Sequence, residues 1–115
     1  MGRGLVRQGK DRLRLKQNLV TERGSKCECC GENAILDLHE GIVTRADAGR
    51  DWKDLIFVPY NCFLLCRNCH TNWGKVFPRE KAWEVSCERY GEEAVREWYK
   101  TLPWKIGVPR RFWDE

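Results

Sequence analysis

The sequence predicts a small α+β domain in which paired cysteines staple a β-hairpin to a helix. Three observations lead there. Two C-x-x-C pairs, Cys27 with Cys30 and Cys66 with Cys69, are separated by 35 residues. Two strand-like segments, 34-AILDLHEGIV-43 and 55-LIFVPYNCFLLC-66, lie between and into these pairs. From Pro78 to Leu102 the apolar residues recur at helical spacing. A chain of 115 residues has the size of one domain, and 42% apolar content supports one modest core.

Residues 1–22 read as a polar, basic N-terminal arm, where Leu13, Leu15, Leu19 and Val20 support at most a short helix. Through residue 26 this end carries eight Lys and Arg against two acidic residues, a net +6, so the remainder sums to −2. A basic arm on a nearly balanced body suits a polyanion such as nucleic acid, and equally a solvated tail. The segment 23-RGSKCECCGEN-33 is turn chemistry, with Gly31 closing the first cysteine knuckle. In the first strand, Ile35, Asp37 and His39 share one face and Leu36, Leu38 and Glu40 the other. The polar stretch 44-TRADAGRDWKD-54 reads as a loop, and the second strand is interrupted at Pro59. Cys69 and His70 open a helix. A longer helix follows over 78–90, with Pro78 in its first turn and Gly91 as its stop. Another runs over 92–102, with Glu92 and Glu93 where the helix dipole favours them. The tail 103–115, with two Pro and a Gly, reads as extended. Six Trp with no repeat read mainly as packing residues.

No apolar run is long enough to cross a membrane, and the N-terminus lacks the apolar core of a secretory signal. Seven cysteines in such a chain point to metal binding and free thiols in a cytoplasmic protein. Cys27, Cys30, Cys66 and Cys69 make a tetrahedral set of four thiolates, the donor set of structural zinc. A register that uses Cys29 instead stays open, while Cys62 and Cys87 read as small core residues.

The chain has only two histidines, and both adjoin this framework. His70 follows the last cysteine of the second pair. His39 ends the first strand beside Glu40, and Asn61 stands five residues before Cys66. Imidazole and an amide oxygen can support a hard divalent ion, and a neighbouring base can activate water against a phosphodiester.

Taken together, Cys27-x-x-Cys30-Gly31, then 36-LDLHE-40, then Asn61-x4-Cys66-x-x-Cys69-His70 resembles the HNH endonuclease family, over about residues 26–75. The resemblance implies a zinc-stapled ββα-metal core (residues 23–77), with the basic arm before it and a C-terminal helical extension (78–115). It implies hydrolysis of DNA phosphodiesters with one catalytic Mg²⁺ or Mn²⁺ besides the structural zinc. By position, His70 and His39 would be ligands of the catalytic ion. Asn61 would orient the catalytic loop, and in some members it touches the metal. Many members are carried by phages and mobile elements, so packaging or mobile-element proteins are implied partners alongside DNA.

The strand-end pair departs from the family, which has a general-base His where this chain has Glu40. Glu40 could be the base, because a carboxylate serves where a bound metal has lowered the pKa of water. Alternatively, His39 is the base, with Asp37 or Glu40 supporting the metal. A third reading is a lost base and an inactive site. Gly41 also stands where an apolar residue is usual. Arg12, Arg14 and Arg45 are the candidate phosphate contacts. The competing functions are an HNH-like zinc module that binds DNA or a partner without cutting, and an adaptor that uses the Trp-rich C-terminal half.

Overall fold

The basic N-terminus forms a docked helix. In the computed structural model, which describes residues 2–48 and 53–102 (side chains from 12 in the first helix and from 55 after the gap), α1 spans Gly2–Arg23. Arg12, Leu15, Leu19 and Arg23 recur at helical spacing on its inner side, and Leu19 is fully buried. The Arg23 guanidinium donates to the Cys62 and Pro59 carbonyls at 2.7 and 3.0 Å and to the Tyr90 hydroxyl at 2.7 Å. It also pairs with Glu28 at 2.9 Å. Two of the four inward residues are arginines, so a hydropathy pattern alone could not show this face. The expected arm is therefore part of the packed structure.

After the first knuckle come β1 (Leu36–Glu40), α2 (Arg45–Ala48), α3 (Lys53–Ile56) and β2 (Cys62–Cys66). The strands pair antiparallel in the register Leu36↔Cys66, His39↔Phe63 and Glu40↔Cys62. All five β2 residues are buried, as expected of a strand covered on both faces. The expected second strand from residue 55 is shorter than its apolar run suggests. Residues 53–56 are helical, and Pro59 contributes no N–H to a ladder. The expected loop 44–54 likewise holds the single turns of α2 and α3 at its ends; its residues 49–52 lie outside the described set.

Immediately after β2 the chain turns into α4 (Arg67–Thr71), then α5 (Trp73–Val76), α6 (Arg79–Tyr90) and α7 (Glu92–Lys100). The two long C-terminal helices match the sequence expectation. Pro78 is the N-cap of α6, and Gly91, at φ +93°, separates α6 from α7. The predicted extended tail, 103–115, lies outside the described residues.

The core gathers Phe63, Leu64 and Leu65 of β2 with Ile42, Ile56, Phe77, Val95 and Tyr99. Each fully buried aliphatic side chain contributes about 1.5–3 kcal/mol. Gly41 meets this core where no side chain fits: a Cβ there would lie 2.8 Å from that of Ala82 and 2.9 Å from the Phe63 ring. The contact with α6 thus explains a glycine where the HNH resemblance leads one to expect an apolar residue. Of the described tryptophans, Trp83 is buried and Trp73 and Trp98 are half-buried, with the Trp98 indole donating to the Leu55 carbonyl at 3.0 Å.

Candidate functional site

The two cysteine pairs meet at the hairpin's open end. The first knuckle is closed by Gly31 N–H donating to the Cys27 carbonyl at 2.9 Å, with Gly31 at φ +81°. Glu28, inside the knuckle, ties it to the sheet. Its N–H donates to the Leu64 carbonyl at 2.8 Å, and its carboxylate accepts from the Leu64 N–H at 2.7 Å, from Arg23 and from Arg89. The second pair is positioned by β2, which delivers Cys66, and by the first turn of α4, which carries Cys69. The Sγ atoms of Cys27, Cys30, Cys66 and Cys69 all lie within 4.8 Å of one another. Cys30 and Cys66 stand 3.8 Å apart, the edge length of a tetrahedron with Zn–S bonds of about 2.3 Å. The group can hold a metal ion such as zinc, and the register is Cys27 with Cys30.

Backbone dipoles favour thiolate at Cys27, while burial pushes the Cys69 thiol up. Burial alone would push the Cys27 thiol up. The N–H groups of Cys30, Cys66 and Cys29 more than reverse that and bring it down to about 6. Those of Cys29 and Cys30 donate to its sulfur at 3.4 Å. Cys62 is fully buried, and burial pushes its thiol up, as suits an inert core residue.

Beside the cysteines, Asp37, His39 and His70 come together. Asp37 and His39 are two apart on β1 and so share a face, and His70 reaches them from α4 directly after Cys69. The His39 and His70 ring centroids are 5.3 Å apart. Asp37 Oδ2 lies 3.1 Å from His70 Nδ1 and accepts from Arg67 Nε at 2.8 Å. Arg67, together with His70, holds the Asp37 carboxyl below the usual carboxylate range against the opposing effect of its burial. With Nδ1 engaged by a carboxylate, His70 keeps Nε2 for another partner, the usual arrangement of a metal-binding imidazole.

His39 is 3% exposed and packs against Trp73 and Phe77, and its Nε2 is buried without a hydrogen-bond partner. Burial, and then the charge of His70, lower its pKa to about 4. The ring is therefore neutral at neutral pH, the form that can ligate a metal or take a proton. An orphaned buried nitrogen beside a carboxylate-fixed imidazole fits a divalent ion. Among the described residues, however, only the four cysteines form a group of three or more donors close enough to share one.

Glu40 is placed differently from its neighbour. Strand alternation sets it on the face opposite His39. Its Oε1 accepts from Arg45 Nε at 3.0 Å, and its Oε2 lies 3.6 Å from Arg12, beyond hydrogen bonding. Both guanidiniums stack on Phe57, at 5.8 Å. No hydrogen bond or ion pair joins Glu40 to either histidine among the described residues. The expectation of Glu40 as a free general base thus meets a carboxylate engaged by cations.

For Asn61 the resemblance implies a loop-orienting role and, in some members, a metal contact. Asn61 is fully buried, and its Oδ1 accepts from the N–H groups of Ile42 and Val43 at 2.9 and 2.8 Å. Its Nδ2 donates to the carbonyls of Val43 and Ile56, both at 2.9 Å. Both oxygen lone pairs are used, so Asn61 braces the loop after β1 and is not free as a metal ligand. Arg79 adds a second brace, donating to the Ile42 carbonyl at 2.9 Å and pairing with Asp47.

Of the expected phosphate contacts, Arg14 is exposed on α1. Arg12 is turned inward to the Leu38 carbonyl at 3.3 Å and toward Glu40, and Arg45 is 48% exposed but tied to Glu40. Two cations near the histidines escaped the sequence reading. Arg67 lies beside Asp37, and Lys16 faces the same groove from α1. Both stand at helix positions that the motif spacing does not mark. No helix among the described residues is long and apolar enough to cross a membrane. No family model, curated protein or solved structure matches the chain.

Proposed function

We propose that this chain is a metal-dependent endonuclease of the HNH type, hydrolysing DNA phosphodiester bonds one strand at a time. One observation carries the reading: the chain's only two histidines meet on a hairpin and helix held by four clustered thiols. In this reading the thiols hold structural zinc, and His70, fixed by Asp37, helps to hold a catalytic Mg²⁺ or Mn²⁺. That ion would supply charge stabilisation for the phosphodiester under attack and the departing 3′ oxygen. His39, neutral and unpartnered at Nε2, takes the proton from the attacking water. Asn61 keeps the loop after β1 in place, and Trp73 and Phe77 shield the His39 ring from solvent. Exposed Arg14 and half-buried Lys16 add salt-sensitive affinity for DNA.

A second reading rests on a separate observation. Beyond the cysteines no three-donor set is preassembled among the described residues, and Glu40 is held by arginine. An HNH-like zinc module that binds DNA or a partner protein without cutting would have this build.

Nicking of supercoiled plasmid by zinc-loaded protein, without added divalent ion or with Mg²⁺ or Mn²⁺, separates the two. The nuclease reading expects nicking that needs the divalent ion and is lost in His70→Ala with the zinc content unchanged. Zinc-loaded protein that binds DNA but nicks under no metal would establish the module instead.

A further inference from the structure

Two grooves lie against α1, and the first opens onto the histidine site. The first, about 530 Å³, runs between α1 and the site, with Arg12, Leu13 and Lys16 on one wall and Asp37, Arg67 and His70 on the other. The second, about 440 Å³, continues past Leu13 and Lys16 to Gln17, Val20 and Thr21. The two share Leu13 and Lys16, so they adjoin along the helix, and the first reaches His70.

The composition of these grooves is unusual for a surface that receives duplex DNA. A duplex presents its phosphates outward, and proteins meet them with cations and hydrogen-bond donors. Here Leu13 is 56% exposed, one of only three large exposed hydrophobics among the described residues, and half-buried Val20 lies seven residues on. Between them stand the Gln17 amide and Lys16, which has no ion-pair partner among the described residues. At the far end Arg67 is 79% exposed. Spacings of three, four and seven place Leu13, Lys16, Gln17 and Val20 on one helix face. Apolar surfaces for base faces, polar groups for base edges and spaced cations for phosphates are the parts of a single-strand site. Each groove also has the volume of a small-ligand cleft, about 300–1,000 Å³, which suits individual nucleotides.

We infer that these grooves seat an unpaired DNA strand, with bases on Leu13 and Val20 and phosphates at Lys16 and Arg67, and lead it to His70. The inference rests on the nuclease reading for its outcome, cleavage, but not for the binding itself. The preferred substrate is then single-stranded DNA, or a gap, flap or frayed end that offers a free strand.

The test is fluorescence anisotropy of the full chain, zinc-loaded and without added Mg²⁺ or Mn²⁺ at fixed salt, with one oligonucleotide offered single-stranded and as its duplex. A cleavage assay on both follows in Mg²⁺ and Mn²⁺. Single strand should bind about tenfold tighter than duplex, the scale of one stacking contact. Leu13→Glu, at an exposed position, should erase that preference with the melting temperature unchanged. Lys16→Ala should weaken both substrates. Equal or tighter duplex binding, or a Leu13→Glu chain that keeps its single-strand affinity, overturns the inference. Single-strand preference without cleavage under any metal would remove the nuclease reading and leave this one standing. Cleavage without single-strand preference would do the reverse.

Discussion

The cysteine cluster and the histidine face lie side by side on the same hairpin and helix, yet they are built on different principles. At the cluster, four identical donors lie within 4.8 Å of one another, and the knuckle N–H groups favour thiolate at Cys27. At the histidine face, one ring is fixed by Asp37 and the other is buried with an unpartnered nitrogen, and no third donor is set beside them among the described residues. The first arrangement is complete once its metal is added. The second offers two imidazoles and no closed donor set, the difference expected between a structural site and the catalytic one proposed here.

Zinc removal sharpens this contrast most. The proposed structural ion would supply on the order of 10 kcal/mol of folding free energy. Chelation, or Cys66→Ser, should therefore abolish the cooperative melting transition followed by circular dichroism. His70→Ala should leave that transition close to wild type.

The next largest effect is expected at Asn61. Asn61→Ala strands two buried N–H groups and two carbonyls, and should lower stability by about 4 kcal/mol in urea titration. A loss within a few tenths of a kcal/mol would mean that water or a shift of the loop replaces the brace.

Acid should then reveal His39. Its folded pKa, about 4, lies below the unfolded value of about 6.5. A depressed histidine pKa contributes its full stability above the unfolded value. That stability is lost as pH falls from about 6.5 to about 4 and changes no further below, because both states are then protonated. The span is worth about 3 kcal/mol. Thiolate protonation also weakens zinc binding in acid, so the check is the difference between wild type and His39→Gln. The variant should lack this component, and parallel pH profiles would show that His39 is not buried neutral.

The smallest expected effect is at Gly41. Gly41→Ala forces a Cβ into Ala82 and Phe63 and should cost about 1–3 kcal/mol. Gly74→Ala, where an added Cβ meets nothing within 4 Å, is the control.

These differences also mark how far the sequence could be read. The four-cysteine set followed from two pairs at fixed short spacing, because a knuckle is a local object that neighbouring residues determine. The hairpin, α6 and α7 followed from periodicity, Pro78 and Gly91. α1 was missed as a docked helix because its inner face is half arginine, and nothing local shows that Arg23 will find Glu28, Cys62 and Tyr90. Asn61 was singled out by its spacing, but its four partners lie on segments that only the closed loop brings together. The separation of His39 from Glu40 was implicit in strand alternation, which set Asp37 and His39 on one face from the start. What alternation could not show was Arg12 and Arg45 closing on Glu40. One of them comes from a helix that the sequence presented as an arm.

The most direct test compares the two neighbours at the end of β1. Plasmid nicking by His39→Gln and Glu40→Gln should be measured with zinc content and melting temperature matched to wild type. With His39 as proton acceptor, His39→Gln should lose about 10²–10⁴-fold in rate, the usual scale for a general base. Glu40→Gln, which keeps an acceptor for Arg45, should stay within severalfold. Loss of nicking in Glu40→Gln with His39→Gln active would contradict the account and make the arginine-held carboxylate the base.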